Sequence, residues 1–337
     1  MTQSPDIHDL SRYRSELMGI AMIAVMLFHV VGPQHDTVWY CIARCGNIGV
    51  DMFLFLSGIG LWYAWTASPS LKHYYKRRLL RIYPAWLLFA CIFYIPIYMD
   101  GKETLAETIG NVLIGWRLWV GHVDEFWFIP TILAFYLVAP FYMMLIRRWQ
   151  AWRWMPVAAI MLCVLIEYWP PLHMLSFQEI LFSRIPIFLL GINAGKWVKT
   201  AENKEQDSHL SGKSGMGMLL LIFMLSAMVC INFEDGLRDH FPMFLERMVY
   251  IPLGISMMLL LCWLFNHVPQ WVLRPLALIG TVSLELYLVH VNFVLYPLRK
   301  YEMGFWLTAL SMIAISLIIA WLVHQILSLI FKKWNKK

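Results

Sequence analysis

Residues 304–331 read GFWLTALSMIAISLIIAWLVHQILSLIF, a run of 28 positions without one Asp, Glu, Lys or Arg. A helix rising about 1.5 Å per residue needs roughly 20 such residues to cross a hydrocarbon core about 30 Å thick. Comparable runs precede it at about 15–33, 46–66, 80–99, 127–146, 153–171, 178–198, 214–232, 246–266 and 275–297. Unpaired backbone groups are too costly in hydrocarbon for anything but helices or closed barrels, and runs of this length and spacing select helices. The expectation is an all-α polytopic membrane protein of about ten spans, one domain over residues 1–337. Composition agrees, since 60% hydrophobic and only 14% charged residues leave more apolar surface than a water-soluble fold of this size can bury.

The first run holds an internal histidine and leads into Gly32-Pro33-Gln34-His35 instead of a small-x-small cleavage site, so it reads as a retained span. Basic residues cluster in alternate connections: Arg12 and Arg14; Lys72 through Arg81; Arg147, Arg148 and Arg153; the polar connector 200–214; and the tail 332–337. Acidic residues gather on the other side, at Asp100, Glu103, Glu107, Asp124 and Glu125, then at Glu234, Asp235 and Asp239. By the positive-inside rule both termini, including segment 1–14, are expected in the cytoplasm. The net charge of +6 belongs to rims facing anionic lipid and does not call for nucleic acid. Between Ile109 and Val120 a moderately apolar stretch with Trp116 and Trp119 reads as a helix lying in the outer interface. The six cysteines show no metal-ligand spacing, and Cys41 and Cys45 read as unpaired thiols or as a short disulfide. Nothing in the sequence fixes the oligomeric state.

Ionisable side chains within spans are costly and are therefore candidates for function. His29 lies four residues before the expected outer end of the first span, and Asp51 five residues after the outer start of the second. Antiparallel neighbours would then match them in depth, with the carboxylate fixing the imidazole as a general base toward a hydroxyl. The alternative is a packing histidine bonded to a backbone carbonyl. Arg14, Met18, Ala21, Val25 and His29 share one helical face, as a ligand path or as a packing seam. In the ninth span Ser283, Glu285, Tyr287 and His290 suggest a lined cavity, with Glu285 near mid-membrane. Arg184 needs an anion, for which Glu167, Glu179 and Glu285 are the candidates. Arg77, Arg78 and Arg81 crowd the inner mouth of the third span, as grips for phosphates or as anchors to lipid headgroups.

Five stretches together resemble acyltransferase family 3, the membrane acyltransferases of surface carbohydrates. They are Met18-Gly19-Ile20-Ala21 through Phe28-His29; Gly49 through Gly58; Lys76 through Pro84; Trp127-Phe128-Ile129-Pro130 with Phe135-Tyr136; and Ser283 through His290. The resemblance implies a ten-helix enzyme of the bacterial cytoplasmic membrane. It would take an acyl group, most often acetyl, from acyl-coenzyme A inside and pass it to a hydroxyl of a polysaccharide or lipid-linked sugar outside. No permanently bound cofactor or metal is implied; acyl-coenzyme A is a co-substrate, and lipid and carbohydrate are the other partners. His29 matches the family's membrane histidine, and Asp51 and Arg78 or Arg81 match its other polar positions. Where the family has an arginine eleven positions before the histidine, this chain has Met18, with Arg14 one turn earlier.

On this reading His29 and Asp51 are catalytic, Arg14, Arg77, Arg78 and Arg81 bind the donor, and Ser57, Arg184, Glu285, Tyr287 and His290 line the cavity or acceptor end. Trp116, Trp119 and Trp127 are stacking surfaces or interfacial anchors. The rival is a transporter or export component for a polysaccharide precursor or small metabolite, which would use the same polar groups as a path and consume no acyl donor.

Overall fold

The computed structural model describes residues 6–30, 38–202, 213–234 and 240–334. Gly32 to His35, most of the connector 200–214, Asp235, Asp239 and the last three residues of the basic tail lie outside these. Among the described residues every regular element is helical. The principal helices are α1 (Arg14–Val30), α2 (Ile48–Ala67), α3 (Leu71–Met99), α4 (Leu105–Ile114), α5 (Phe128–Arg148) and α6 (Met155–Tyr168). They continue as α7 (Ile185–Glu202), α8 (Lys213–Glu234), α9 (Met243–Phe265), α10 (Gln270–Thr281), α11 (Ser283–Val289) and α12 (Phe305–Trp334).

Among the described residues eight helical stretches are long and apolar enough to cross a membrane, and nine if Gln270–Thr281 and Ser283–Arg299 are counted as one broken span. The first expected span, α1, has 17 described residues and ends beside the undescribed segment. The second span is longer than expected. Val38–Arg44 and the 3-10 turn Cys45–Asn47 lead straight into α2, so apolar helix runs from Tyr40 to Ala67. On this lead-in Cys41 is buried and Cys45 half-buried.

The chain forms two compact units, Met1–Ala67 with Phe141–Thr281, and Ser68–Pro140 with Val282–Lys337. In the first unit α2 packs along α7 and α9, α1 along α2 and α10, and α8 along α9. Small residues allow the closest approaches, as expected where helices associate through packing in lipid. A Cβ on Gly191 of α7 would stand 2.2 Å from the Phe55 carbonyl oxygen of α2, and one on Gly280 of α10 would stand 1.9 Å from that of Ser15.

The second unit joins α3, α11 and α12, with α4 against α3. Its interior holds a ring cluster in which Phe93 meets Phe126 at 5.2 Å and Phe89 meets Phe293 at 5.6 Å. The interface helix predicted at Ile109–Val120 begins earlier, at Leu105. Thr104 and Glu107 form a capping box there, and left-handed Gly115 ends the helix before the short turn Trp116–Trp119. Its exposed face carries Leu105, Ile109, Leu113 and Trp116.

Candidate functional site

In the first unit His29 sits one residue from the described end of α1, and its Nδ1 lies 2.8 Å from the Val25 carbonyl. A carbonyl only accepts, so Nδ1 carries the proton and Nε2 of the neutral ring holds the basic lone pair. Asp51 is elsewhere. Along the antiparallel contact of α1 and α2, Gly49 lies against Ala21 and Gly46 against Ala24. That register puts Asp51 roughly 10 to 15 Å from His29 along the helix axis. The expected depth match fails because the second span starts near Tyr40, which leaves Asp51 well inside it.

Asp51 instead forms a buried ion pair with Arg184, whose Nη2 also donates to the Asn47 side-chain oxygen at 3.1 Å. Arg184 and Asp51 are 0% and 1% exposed, and Asp51 was not among the anions expected for Arg184. Around the pair stand residues the sequence reading passed over. Arg247 of α9 has its Nε 3.7 Å from Glu179, and the Tyr250 hydroxyl donates to Glu246. Glu246 and Arg247 open the run expected at about 246–266. The three apolar residues before them within the same helix, Met243, Phe244 and Leu245, were the signal that they lie inside.

Arg14 lies along α2, donating from Nε to the Leu56 carbonyl at 3.2 Å, and its guanidinium fills the space left by the missing side chain of Gly60. Met18, at the position where an arginine was expected, is buried. Ser57 is half-buried on α2.

In the second unit the first turns of α3 present Arg77 and Arg81 to the exterior, while Arg78 is half-buried. The Arg78 guanidinium lies 5.8 Å from the Tyr74 ring and 5.6 Å from the Tyr136 ring, and its buried Nε has no hydrogen-bond partner among the described residues. The Tyr74 and Tyr75 hydroxyls donate to the carbonyls of Tyr136 and Leu137 at 3.1 and 2.8 Å, fixing the rings that flank the cation.

Tyr287 is a tie. Its hydroxyl donates to the Glu125 carbonyl at 2.6 Å and accepts from the Phe128 amide at 3.1 Å, which pins the start of α5. His290 is buried, with Nδ1 2.9 Å from the Tyr287 carbonyl, and opens the π-helical segment His290–Leu295. Such segments are frequent at functional sites. Glu285 accepts from Nδ1 of His324 on α12 at 2.8 Å. His324 lies about 28 Å along α12 from Phe305. The imidazole–carboxylate contact expected at His29 is thus realised at His324, hidden in a run read only as a span.

On the loop before α5, Asp124 accepts from the Tyr94 hydroxyl and the Phe126 amide. Burial holds its carboxyl above the ordinary aspartate value, against the pull of these bonds and of Arg117. Trp116 and Trp119 are exposed, and the Trp119 ring nitrogen donates to the Ile114 carbonyl at 3.0 Å.

No curated protein and no solved structure matches this chain. One family does: the acyltransferase family 3 model, described as an acyltransferase domain, matches residues 17–325. That span takes in the His29 helix, the buried Asp51–Arg184 pair, the arginines of α3 and the Glu285–His324 contact, and on it the chain belongs to acyltransferase family 3, a membrane acyltransferase.

Proposed function

We propose that the chain moves an acyl group, acetyl in the first instance, from acyl-coenzyme A to a hydroxyl of a polysaccharide or lipid-linked sugar on the outer side of the bacterial cytoplasmic membrane. The observation that carries the reading is the bond from His29 Nδ1 to the Val25 carbonyl. It does the orienting that was expected of Asp51 and leaves Nε2 as the base. Nε2 takes the hydroxyl proton, the oxygen attacks the thioester carbonyl, the carbon–sulfur bond breaks, and coenzyme A leaves as a thiolate that picks up a proton. No protein nucleophile is required.

Arg77, Arg78 and Arg81 supply forked donors for the pyrophosphate and ribose phosphate of coenzyme A. Two are exposed, and the third is stiffened between tyrosine rings. Arg14, laid along α2, supplies a cation one turn below the position of Met18. Asp51 contributes by neutralising Arg184.

The test uses membranes with equal amounts of the wild-type chain and of His29→Ala, given acetyl-labelled acetyl-coenzyme A and cell-envelope carbohydrate. Label should enter carbohydrate with release of free thiol, and His29→Ala should lose about 10²- to 10⁴-fold, the usual contribution of a positioned base. Equal transfer by both chains would remove His29 from the mechanism. No transfer by either, with export of a polysaccharide precursor that depends on the chain, would move the function to transport.

A further inference from the structure

We infer that Arg247 and Glu179 form a subsite in the first unit for a neutral, hydroxyl-rich ligand. On the function proposed above, on which this identification rests, that ligand is the carbohydrate acceptor.

The first observation is height. The Tyr13 ring packs against Phe265 at 5.5 Å, and Asn266 holds Asp9 and Tyr13 through hydrogen bonds at 2.7 and 2.8 Å. The beginning of α1 therefore lies beside the end of α9, and the two helices run antiparallel. From Tyr13 to His29 the chain climbs about 24 Å, and from Phe265 back to Arg247 about 27 Å, at the rise of an α-helix. Within one unit, His29 and Arg247 stand within one helical turn of the same level. The group level with His29 is Arg247, not Asp51.

The second observation is unmet hydrogen bonding. The Arg247 side chain is 4% exposed, yet its Nε and Nη1 have no hydrogen-bond partner among the described residues. Its Nε faces Glu179 Oε1 at 3.7 Å, too long for a hydrogen bond, and that oxygen is also unpartnered. Asp51 Oδ1 and Ser183 Oγ are likewise buried and unpartnered among the described residues. Native interiors rarely leave such groups unmet.

Charge decides what meets them. A phosphate or carboxylate would satisfy Arg247 but meet Asp51, Glu179 and Glu246; an ammonium would satisfy the carboxylates but meet Arg184 and Arg247. A hydroxyl does both jobs: its oxygen, about 2.8 Å from each partner, spans the gap by accepting from Arg247 and donating to Glu179. Glu179, with 25% of its side chain exposed, is the way in.

The test is equilibrium dialysis of the full chain in nanodiscs, without acyl donor, against labelled methyl glycosides of glucose, galactose and mannose, and against methyl glucuronoside and methyl glucosaminide. At least one neutral glycoside should saturate a single site, with both charged probes at least tenfold weaker. Glu179→Gln, which keeps size and removes charge, should weaken neutral binding by about tenfold or more, and Arg247→Gln by more still. Should Arg247→Gln fail to fold, Glu179→Gln decides alone. The subsite is overturned if no neutral glycoside binds, if Glu179→Gln binds like wild type, or if a charged probe binds as well as the neutral ones. Saturable binding with no acyl transfer would sink the transferase reading alone. His29-dependent transfer with no effect of Glu179→Gln on binding would sink the subsite alone.

Discussion

Two carboxylates illustrate how burial sets a residue's role. Asp51 touches Arg184 with neither side chain more than 1% exposed, so each charge is tolerable only because of the other. Asp51→Asn leaves a buried guanidinium uncompensated, a change that typically costs about 3–5 kcal/mol. We expect the thermal midpoint of detergent-solubilised Asp51→Asn to fall by several degrees, and the double variant Asp51→Leu with Arg184→Met to recover most of it. A normal midpoint together with lost transfer would instead place Asp51 in the chemistry. Asp124 lies outside the spans, and its carboxyl is raised chiefly by desolvation. A carboxyl raised on folding binds its proton more tightly in the folded state, so its contribution to stability is present at low pH and declines as pH climbs from about 3.8 through the raised folded value. Asp124→Asn keeps an acceptor for Tyr94 and removes that penalty. Its melting midpoint should match wild type near pH 4 and exceed it near pH 7; a deficit at neutral pH would show that the Arg117 attraction outweighs burial.

At the scale of helices, the contact of α2 with α7 depends on absent side chains. Around Gly191 the atoms that a Cβ would meet are all backbone, the Phe55 carbonyl oxygen at 2.2 Å and its Cα at 2.8 Å. No rotamer change can relieve this clash, so the helices must separate. That would pull Asp51 on α2 from Arg184 beside α7. Gly191→Ala should therefore lower the thermal midpoint and reduce transfer together. Gly217 on α8 is the contrast, since it has nothing within 4 Å of where a Cβ would lie. Gly217→Ala should be neutral or stabilising by up to about 1 kcal/mol, the ordinary helical preference for alanine over glycine. Equal midpoints for the two variants would mean that the α2–α7 contact yields easily.

For the whole molecule, hydropathy made the helical scaffold legible because lipid imposes length and polarity on each span separately. What it hid were features set by partners. The segment before residue 46 looked like loop because Arg44 interrupts it, but Arg44 stacks 4.7 Å from the Phe28 ring and Asn47 bonds to Arg184, so helix already runs there. No spacing rule links Asp51 to Arg184, which lie 133 positions apart, nor Glu285 to His324. The basic motif of α3 and His29 were legible through their motifs, whereas Arg247 needed the contacts of Asp9 and Tyr13 with the end of α9. Orientation rests on charge alone: Lys72 through Arg81 and Arg147 through Arg153 against Asp100, Glu103 and Asp124. A fluorescent protein fused after Lys337 should therefore mature and fluoresce, and alkaline phosphatase inserted at the exposed turn Gly101-Lys102 should be active. With the reporters exchanged, both signals should be lost. The opposite pattern would turn His29 and Arg247 toward the cytoplasm, and the hydroxyl acceptor would then have to be sought inside the cell, on the same side as the acyl donor.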